Sequence, residues 1–325
     1  MNNKKWFKEA KFGMMIHWGL YSLLGGEYRG KRTPYVAEWI RNHMHIPHDE
    51  YIKLADAFNP IYFDAEEWVK LAHEAGMKYI VITSKHHEGF CLFKSEYDNF
   101  NSVDGTPFGR DIIAEMAAAC KKYGLKLGLY YSQELDWNEP NGGGYDLQNS
   151  RDWTNYWDYP DPTKKNYEQC FRDKILPQVR EILTNYGDLC LIWFDTPYTI
   201  STEQSQELFD LVKSLQPNCL VNTRIGNGLG DYRSMDDNEI PDEDMGDKLV
   251  ETPATLNDSW GYKYFDNNWK DADEVLRLKN HLNDRGVNYL LNVGPDHLGR
   301  IPKPSQDILR EVGRRLKECE NEENI

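Results

Sequence analysis

Short apolar runs rich in β-forming residues alternate along the chain with longer stretches whose apolar positions recur every three to four residues. The runs fall at 12–19 (FGMMIHWG), 77–83 (MKYIVIT), 125–132 (LKLGLYYS), 188–195 (DLCLIWFD), 219–224 (CLVNTR), 248–256 (KLVETPATL) and 287–294 (VNYLLNVG). Helical periodicity predicts helices over 64–75, 111–123, 162–186, 202–215, 271–284 and 304–318. Several open on a Ser, Thr or Asp that can accept from first-turn amides, and several stop at a glycine, as at Gly76, Gly124, Gly187 and Gly286. Continuously apolar strands separated by helices describe a parallel sheet covered on both faces. An open doubly wound sheet and a closed (β/α)8 barrel of the TIM type both satisfy that alternation. Following each strand to its end gives His17, then Lys85-His86-His87, Tyr130-Tyr131-Ser132, Asp195, Arg224, Glu251 and Asn292. A barrel gathers such groups at one mouth, whereas an open sheet relies on the loops at its switch point.

The expected fold is therefore α/β, a (β/α)8-like barrel in a single domain over 1–325. Seven strands are accounted for, and the eighth is expected at 35–40 or in the stretch before Asp231. The segment 135–161, aromatic-rich and containing Gly142-Gly143-Gly144, reads as a long βα loop of the kind that carries function. The acidic tail 319–325 is expected to fray.

Composition narrows the partners. Fifty-three acidic against 38 basic side chains leave a net charge of −15, which argues against nucleic acid and anionic membranes. No apolar leader opens the chain and no run is long enough to span a bilayer, so a cytoplasmic location is expected. The six cysteines are scattered, with no CxxC and no Cys/His pair at zinc spacing, and read as reduced, packed thiols.

Carboxylate, imidazole, arginine, tyrosine and tryptophan together at a barrel mouth suit a carbohydrate, whose hydroxyls need charged or imidazole partners and whose ring faces stack on indoles. Hydrolysis of a glycosidic bond needs two carboxyl groups, and Asp195 and Asp237 are candidates. Asp195 ends the most apolar strand, where an ionised group needs a reason; its bland alternative is a cap for the following Thr-Pro turn. Asp237 lies with Asp236 and Glu239 in an acidic stretch that also reads as a solvated loop. His86 and His87 suggest metal ligands, but adjacent strand residues face opposite ways, so only one can enter a barrel unless the strand has just ended. His43, His45 and His48 read as surface-loop residues. Gly226, Gly228 and Gly230 lack the lysine and helix of a phosphate loop and read as turn residues.

The segments WFKEAKFGMMIHWGLYS, AEWI, KHHEGFCLF, GLYYSQELDW, LIWFD, SWGY and NYLLNVGPDHLGRIP resemble the α-L-fucosidases of glycoside hydrolase family 29, in order and at natural spacing. EYRG, NGGGYD, LQPNCLVNTRIGNG and DNEIP resemble most the compact bacterial α-1,6-L-fucosidases of lactobacilli. The resemblance implies a retaining exo-enzyme without the C-terminal β-sandwich of many relatives. It implies Asp195 as nucleophile and Asp237 as acid/base, with Glu251 second and Asp236 raising the pKa of Asp237 by like-charge repulsion. Fucose contacts would fall on His17, Glu38, Trp39, His86, His87, Tyr130, Trp193, Arg224 and Trp260. No metal and no organic cofactor are implied; the partner would be a fucosylated oligosaccharide or glycoconjugate, favoured as α-1,6-fucosyl-GlcNAc, with transfucosylation a further activity and homo-oligomerisation compatible. The alternatives are another linkage preference, a metal-dependent barrel hydrolase using His17, His86 and His87, and a catalytically idle sugar-binding protein.

Overall fold

In the computed structural model, which describes residues 3–145 and 153–323, eight parallel strands form one curled sheet. They are β1 (Phe12–Ile16), β2 (Tyr79–Lys85), β3 (Lys126–Tyr131), β4 (Leu191–Phe194), β5 (Leu220–Val221), β6 (Arg233–Ser234), β7 (Val250–Thr255) and β8 (Val287–Val293). The lateral order β5-β4-β3-β2-β1-β8-β7-β6 leaves β5 and β6 as neighbours around the ring. A parallel bridge between Asn222, just past β5, and Tyr232, just before β6, joins them. β1, β2, β4, β7 and β8 are buried at every residue, so the absence of polar alternation in these runs follows from burial on both faces.

Helices α1 (Asn3–Ala10), α2 (Ala65–Glu74), α3 (Ile112–Tyr123), α4 (Leu176–Asn185), α5 (Thr202–Leu215), α6 (Ala272–Asp284) and α7 (Lys303–Glu323) pack around the sheet. The capping signals act as read: Asp64, Asp111 and Asp271 accept from first-turn amides, and Ser201 forms a reciprocal capping box with Gln204. The expected helix over 162–186 is instead broken into a 3-10 turn (Pro162–Lys164), a short helix (Tyr167–Cys170), a π-helical turn (Phe171–Ile175) and α4. Pro177 lies in the first turn of α4 and has no N–H to continue the ladder backward, which accounts for the wide turn before it. The tail also differs from expectation: 319–323 continue α7, while 324–325, like Asp146 of the NGGGYD segment, lie outside the described residues. No helix among the described residues is long and apolar enough to cross a membrane.

The eighth strand occupies neither expected place. Residues 35–40 hold a 3-10 turn (Ala37–Trp39) and the start of a short helix, and the strand is β6, beyond Asp231. Two residues long and partly exposed, it leaves no apolar run to detect. Between β5, β6 and β7 the described residues contain no α-helix, so two of the seven crossovers are loops without one. The three glycines before β6 serve turns: Gly226, Gly228 and Gly230 have φ of 94°, 75° and 134°. At Gly230 a Cβ would also lie 2.9–3.0 Å from the backbone of Asn222 and Thr223, the chain that closes the barrel.

Buried ions brace the mouth from behind. Lys85, the last residue of β2, meets Asp136 at 2.9 Å, and Lys174 of the π turn meets the same carboxylate at 3.0 Å. Burial alone would push the Asp136 carboxyl up; the two ammonium groups reverse this and hold it below the carboxylate range. All six cysteines are unpaired and all but Cys319 are buried.

Gly230→Ala should therefore part β5 from β6. Strained φ and backbone overlap should cost about 1–3 kcal/mol, read as a lowered urea midpoint. Because Arg224 sits on the displaced segment, activity should fall more than stability does.

Candidate active site

Asp195 follows β4 directly, carried by four fully buried residues to the mouth of the barrel. Its Oδ2 accepts from the Tyr130 hydroxyl at 2.9 Å and lies 3.6 Å from His87 Nε2, and its Oδ1 accepts from Arg224 Nη1 at 3.0 Å. Burial would raise the carboxyl pKa, but Arg224, His87 and the hydrogen bonds outweigh it and hold Asp195 below its ordinary value. Thr196, the next residue, has φ +49°, a strained conformation for a β-branched residue. The turn that re-aims the chain is thus stored next to the carboxylate.

Arg224 spans two acids. It sits in a 3-10 turn after β5, with Nη1 on Asp195 and Nη2 donating to Asp237 Oδ1 at 2.7 Å and to the Met235 carbonyl at 2.8 Å. Its guanidinium carbon lies 4.7 Å from the centre of the Trp193 ring, a cation–π contact that fixes the plane of the fork. Asp237 stands on the bare loop between β6 and β7. Asn238, at φ +58°, holds that loop to β7: its N–H donates to the Pro253 carbonyl, and its Oδ1 accepts from the Thr255 N–H at 2.9 Å. Pro253 is tolerated inside β7 because β6 has already ended opposite Glu251. The Asp237 pKa is raised, by burial first and among the charges by Asp195 before Asp236; Arg224 opposes them. The side chain is 50% exposed, so water tempers the shift. Repulsion from Asp236, expected from the sequence as the lever, is the smallest of these causes.

The histidines follow from where the strands stop. β2 ends at Lys85, so His86 and His87 both leave the pleat and both turn to the mouth, their ring centres 4.1 Å apart. Ser132 gives its hydroxyl proton to the Leu135 carbonyl and so accepts from His87 Nδ1 at 2.6 Å. This makes His87 an Nδ1–H tautomer with Nε2 toward Tyr130, Thr196 and Asp195. In the same way Asn292 donates to the Trp260 carbonyl, which orients its amide oxygen to accept from His17 Nδ1 at 2.8 Å. Burial lowers the pKa of His17 and of His87 to about 4, so both rings are neutral near neutral pH. His86 Nδ1 is buried with no protein partner among the described residues. Glu38, on the turn after β1, accepts from the Gly261 N–H at 2.8 Å, and burial raises it to about 7.

These groups surround a cavity of about 130 Å³, close to the roughly 150 Å³ of engineered cavities that take one six-membered ring. His17, Glu38, Trp39, His86, Trp193, Asp195, Arg224, Asp237 and Trp260 line it, joined by Met15 and Val36, which nothing in an apolar pattern distinguished. Tyr130 and His87 stand behind Asp195 and do not line the cavity. Glu251 is also elsewhere. It is the second residue of β7 rather than a strand end, deep inside the barrel, with Oε1 on Trp193 Nε1 at 3.0 Å and Oε2 on the Tyr79 hydroxyl at 2.6 Å. Burial raises its pKa to about 7. Trp193 lies between it and the cavity. No three His, Cys, Asp or Glu side chains among the described residues are arranged to hold a metal ion. His43, His45 and His48 stay clear of the cavity, with His45 stacked on Trp157.

Comparison with known proteins reaches nearly the whole chain. The family model described as alpha-L-fucosidase matches residues 1–321. The tissue alpha-L-fucosidase of Rattus norvegicus is 30% identical over 336 residues, 96% of this chain and 68% of its own. Unliganded alpha-L-fucosidase AlfC from Lactobacillus casei superposes with a TM-score of 0.94 at 54% identity, covering 99% of this chain and 100% of that one. An Asp-to-Ala variant of AlfC, solved in complex with Fuca(1,6)GlcNAc, gives a TM-score of 0.93 at 52% identity, covering 98% of this chain and 99% of that one. The alpha-L-fucosidase from Vibrio sp. strain EJY3 gives 0.91 at 36% identity, covering 97% of this chain and 55% of that one. One activity names the family model and each of these relatives, and the chain belongs to the α-L-fucosidase family, glycoside hydrolase family 29.

Proposed function

We propose that this glycoside hydrolase is a retaining exo-α-L-fucosidase that removes terminal α-linked L-fucose by double displacement, with α-1,6-fucosyl-GlcNAc of the core-fucose type as favoured substrate. The observation that carries the reading is Arg224 bonded to Asp195 through one terminal nitrogen and to Asp237 through the other. Their pKa values move apart, Asp195 down and Asp237 up, which supports base-like and acid-like roles for two carboxyls of one type.

In the first step Asp195 attacks the anomeric carbon while the bond to the leaving oxygen breaks and that oxygen takes the proton of Asp237. In the second, Asp237 takes a proton from water, whose oxygen attacks the same carbon and releases Asp195. Two inversions give retention. An acceptor hydroxyl in place of water gives transfucosylation, and AlfC has been solved as fucosyltransferase mutants. Of the lining residues, neutral His17 offers Nε2 as an acceptor, His86 offers its unpartnered Nδ1, and Glu38 and Arg224 add charged or ionisable partners for ring hydroxyls. Trp39 adds an indole N–H, and Trp260 faces the methyl group of fucose. Tyr130, His87 and Trp193 act on the sugar through Asp195 and Arg224, which they orient. A cavity sized for one ring supports removal of a terminal sugar. The linkage follows AlfC, whose variant was solved with Fuca(1,6)GlcNAc. The whole described chain is taken as the catalytic barrel domain.

Proton NMR of early product decides the stereochemistry: α-L-fucose should appear first and mutarotate, and initial release of the β-anomer overturns the mechanism. On 4-nitrophenyl α-L-fucopyranoside, turnover should survive EDTA and fall on the order of 10⁴-fold or more in Asp195→Ala, as for loss of a nucleophile; loss to EDTA alone would return the histidines to the role of ligands. The kcat/KM profile should be bell-shaped. Asp195, depressed, must ionise and keeps the acid limb below the ordinary aspartate range. Asp237, raised, must be protonated and sets the basic limb above it. Asp237→Asn should abolish that limb and cost about 10²–10⁴-fold on fucosyl-GlcNAc, and much less on the nitrophenyl substrate, whose leaving group needs no proton.

A further inference from the structure

We propose that Gln133 is a positioning residue for this reaction, its carboxamide locking the backbone of Asp195 to the backbone of Arg224. The proposal rests on the reading of Asp195 as nucleophile. Gln133 follows β3 by two residues, and its side chain is fully buried. Its Oε1 accepts from the Asp195 N–H at 2.9 Å and its Nε2 donates to the Arg224 carbonyl at 3.0 Å. One donor and one acceptor, each used once, define the amide orientation without ambiguity.

The need arises from the sheet. The β4–β5 ladder pairs only Leu191 with Leu220 and Ile192 with Val221, so Phe194, Asp195 and Arg224 lie beyond its last rung. Two carboxamides continue it. Asn222 accepts from the Phe194 N–H and donates to the Phe194 carbonyl, both at 2.9 Å, and Gln133 then takes the next pair of backbone groups. Gln133 thereby closes a ring. The Asp195 carboxylate meets the Arg224 guanidinium at one side, and the two main chains meet through Gln133 at the other. Neighbouring bonds keep Gln133 in place. Tyr167 donates to its carbonyl at 2.8 Å, and the adjacent Glu134 carboxylate accepts from the backbone N–H groups of Tyr198, Thr199 and Ile200, just past the strained Thr196. Without the carboxamide, Asp195 keeps its charge partner but loses the fixed distance from which its oxygen approaches the anomeric carbon. Removing Gln133 should therefore slow the chemical step and spare sugar binding.

The test compares Gln133→Met, of similar length and without hydrogen bonding, with Gln133→Glu, which keeps the acceptor, loses the donor and sets a negative charge beside Asp195. Both are measured on 4-nitrophenyl α-L-fucopyranoside across pH, with L-fucose as competitive inhibitor and Asp195→Ala alongside. Gln133→Met should lose about 10²-fold in kcat/KM, the scale of a misplaced reacting group, while inhibition by fucose changes little. Gln133→Glu should move the acid limb to higher pH through like-charge repulsion. The proposal is overturned if Gln133→Met turns over at the wild-type rate, if fucose affinity falls in step with turnover, or if the acid limb of Gln133→Glu stays where it was. Should Gln133→Met not fold, the acid limb of Gln133→Glu decides. Turnover retained by Asp195→Ala overturns the assignment of the nucleophile instead, and is thereby distinguished.

Discussion

One guanidinium organises this molecule. Two carboxyl groups brought together at a barrel mouth repel, and the less solvated one protonates unless a cation intervenes. Arg224 intervenes with a rigid fork, one terminal nitrogen for each acid, a geometry that an ammonium point charge does not supply. The fork itself is held flat over Trp193 and anchored on the Met235 carbonyl. A mostly enclosed cation bonded to two acids keeps Asp195 ionised inside the mouth, yet leaves Asp237 at the wet rim with an elevated pKa. The electrostatic asymmetry is set before any sugar enters, so no reorganisation is needed at the moment of reaction.

The barrel serves that arginine layer by layer. Glu251, inside the barrel, holds the indole of Trp193, and the indole carries the guanidinium. Tyr130 lies stacked between His86 and Trp193, with ring centres 5.4 and 5.5 Å away, and reaches Asp195 with its hydroxyl. Side chains therefore continue the order of the sheet beyond its last backbone rung, as Asn222 and Gln133 do between β4 and β5.

Much of this was legible in the residues, and the failures have physical causes. Strands buried on both faces write long apolar runs, so seven were visible; β6, with two partly exposed residues, writes none. Helices capped by Asp64, Asp111, Ser201 and Asp271 began where their side chains said. Within the expected helix over 162–186, Asn166 caps a fresh start and Pro177 goes with a π turn, and apolar periodicity registers neither. Asp195 and Arg224 were legible because a charge at the end of an apolar strand demands a partner. Asp237 could be placed only through resemblance, since an acidic loop and a catalytic loop have one composition. Glu251 was misplaced because it was taken for a strand end, although the run 248–256 that holds it stays in the sheet through Pro253 to Thr255. Gln133 and Asn238 escaped notice, for an uncharged amide carries no sign of its use until the backbone groups it serves are known.

The two missing crossover helices divide the two carboxyls held by Arg224 between unlike halves of the wall. Asp195 stands on a strand backed by α4 and α5, whereas Asp237 hangs on a helix-free stretch pinned by Asn238. Met235, Ile240 and Met245 tie that stretch to the core, yet a change in its length or sequence alters no helix of the outer layer. With the proposed roles, such a scaffold lets evolution reposition or replace the proton donor, and with it the choice of leaving group, while the covalent half of the chemistry stays fixed.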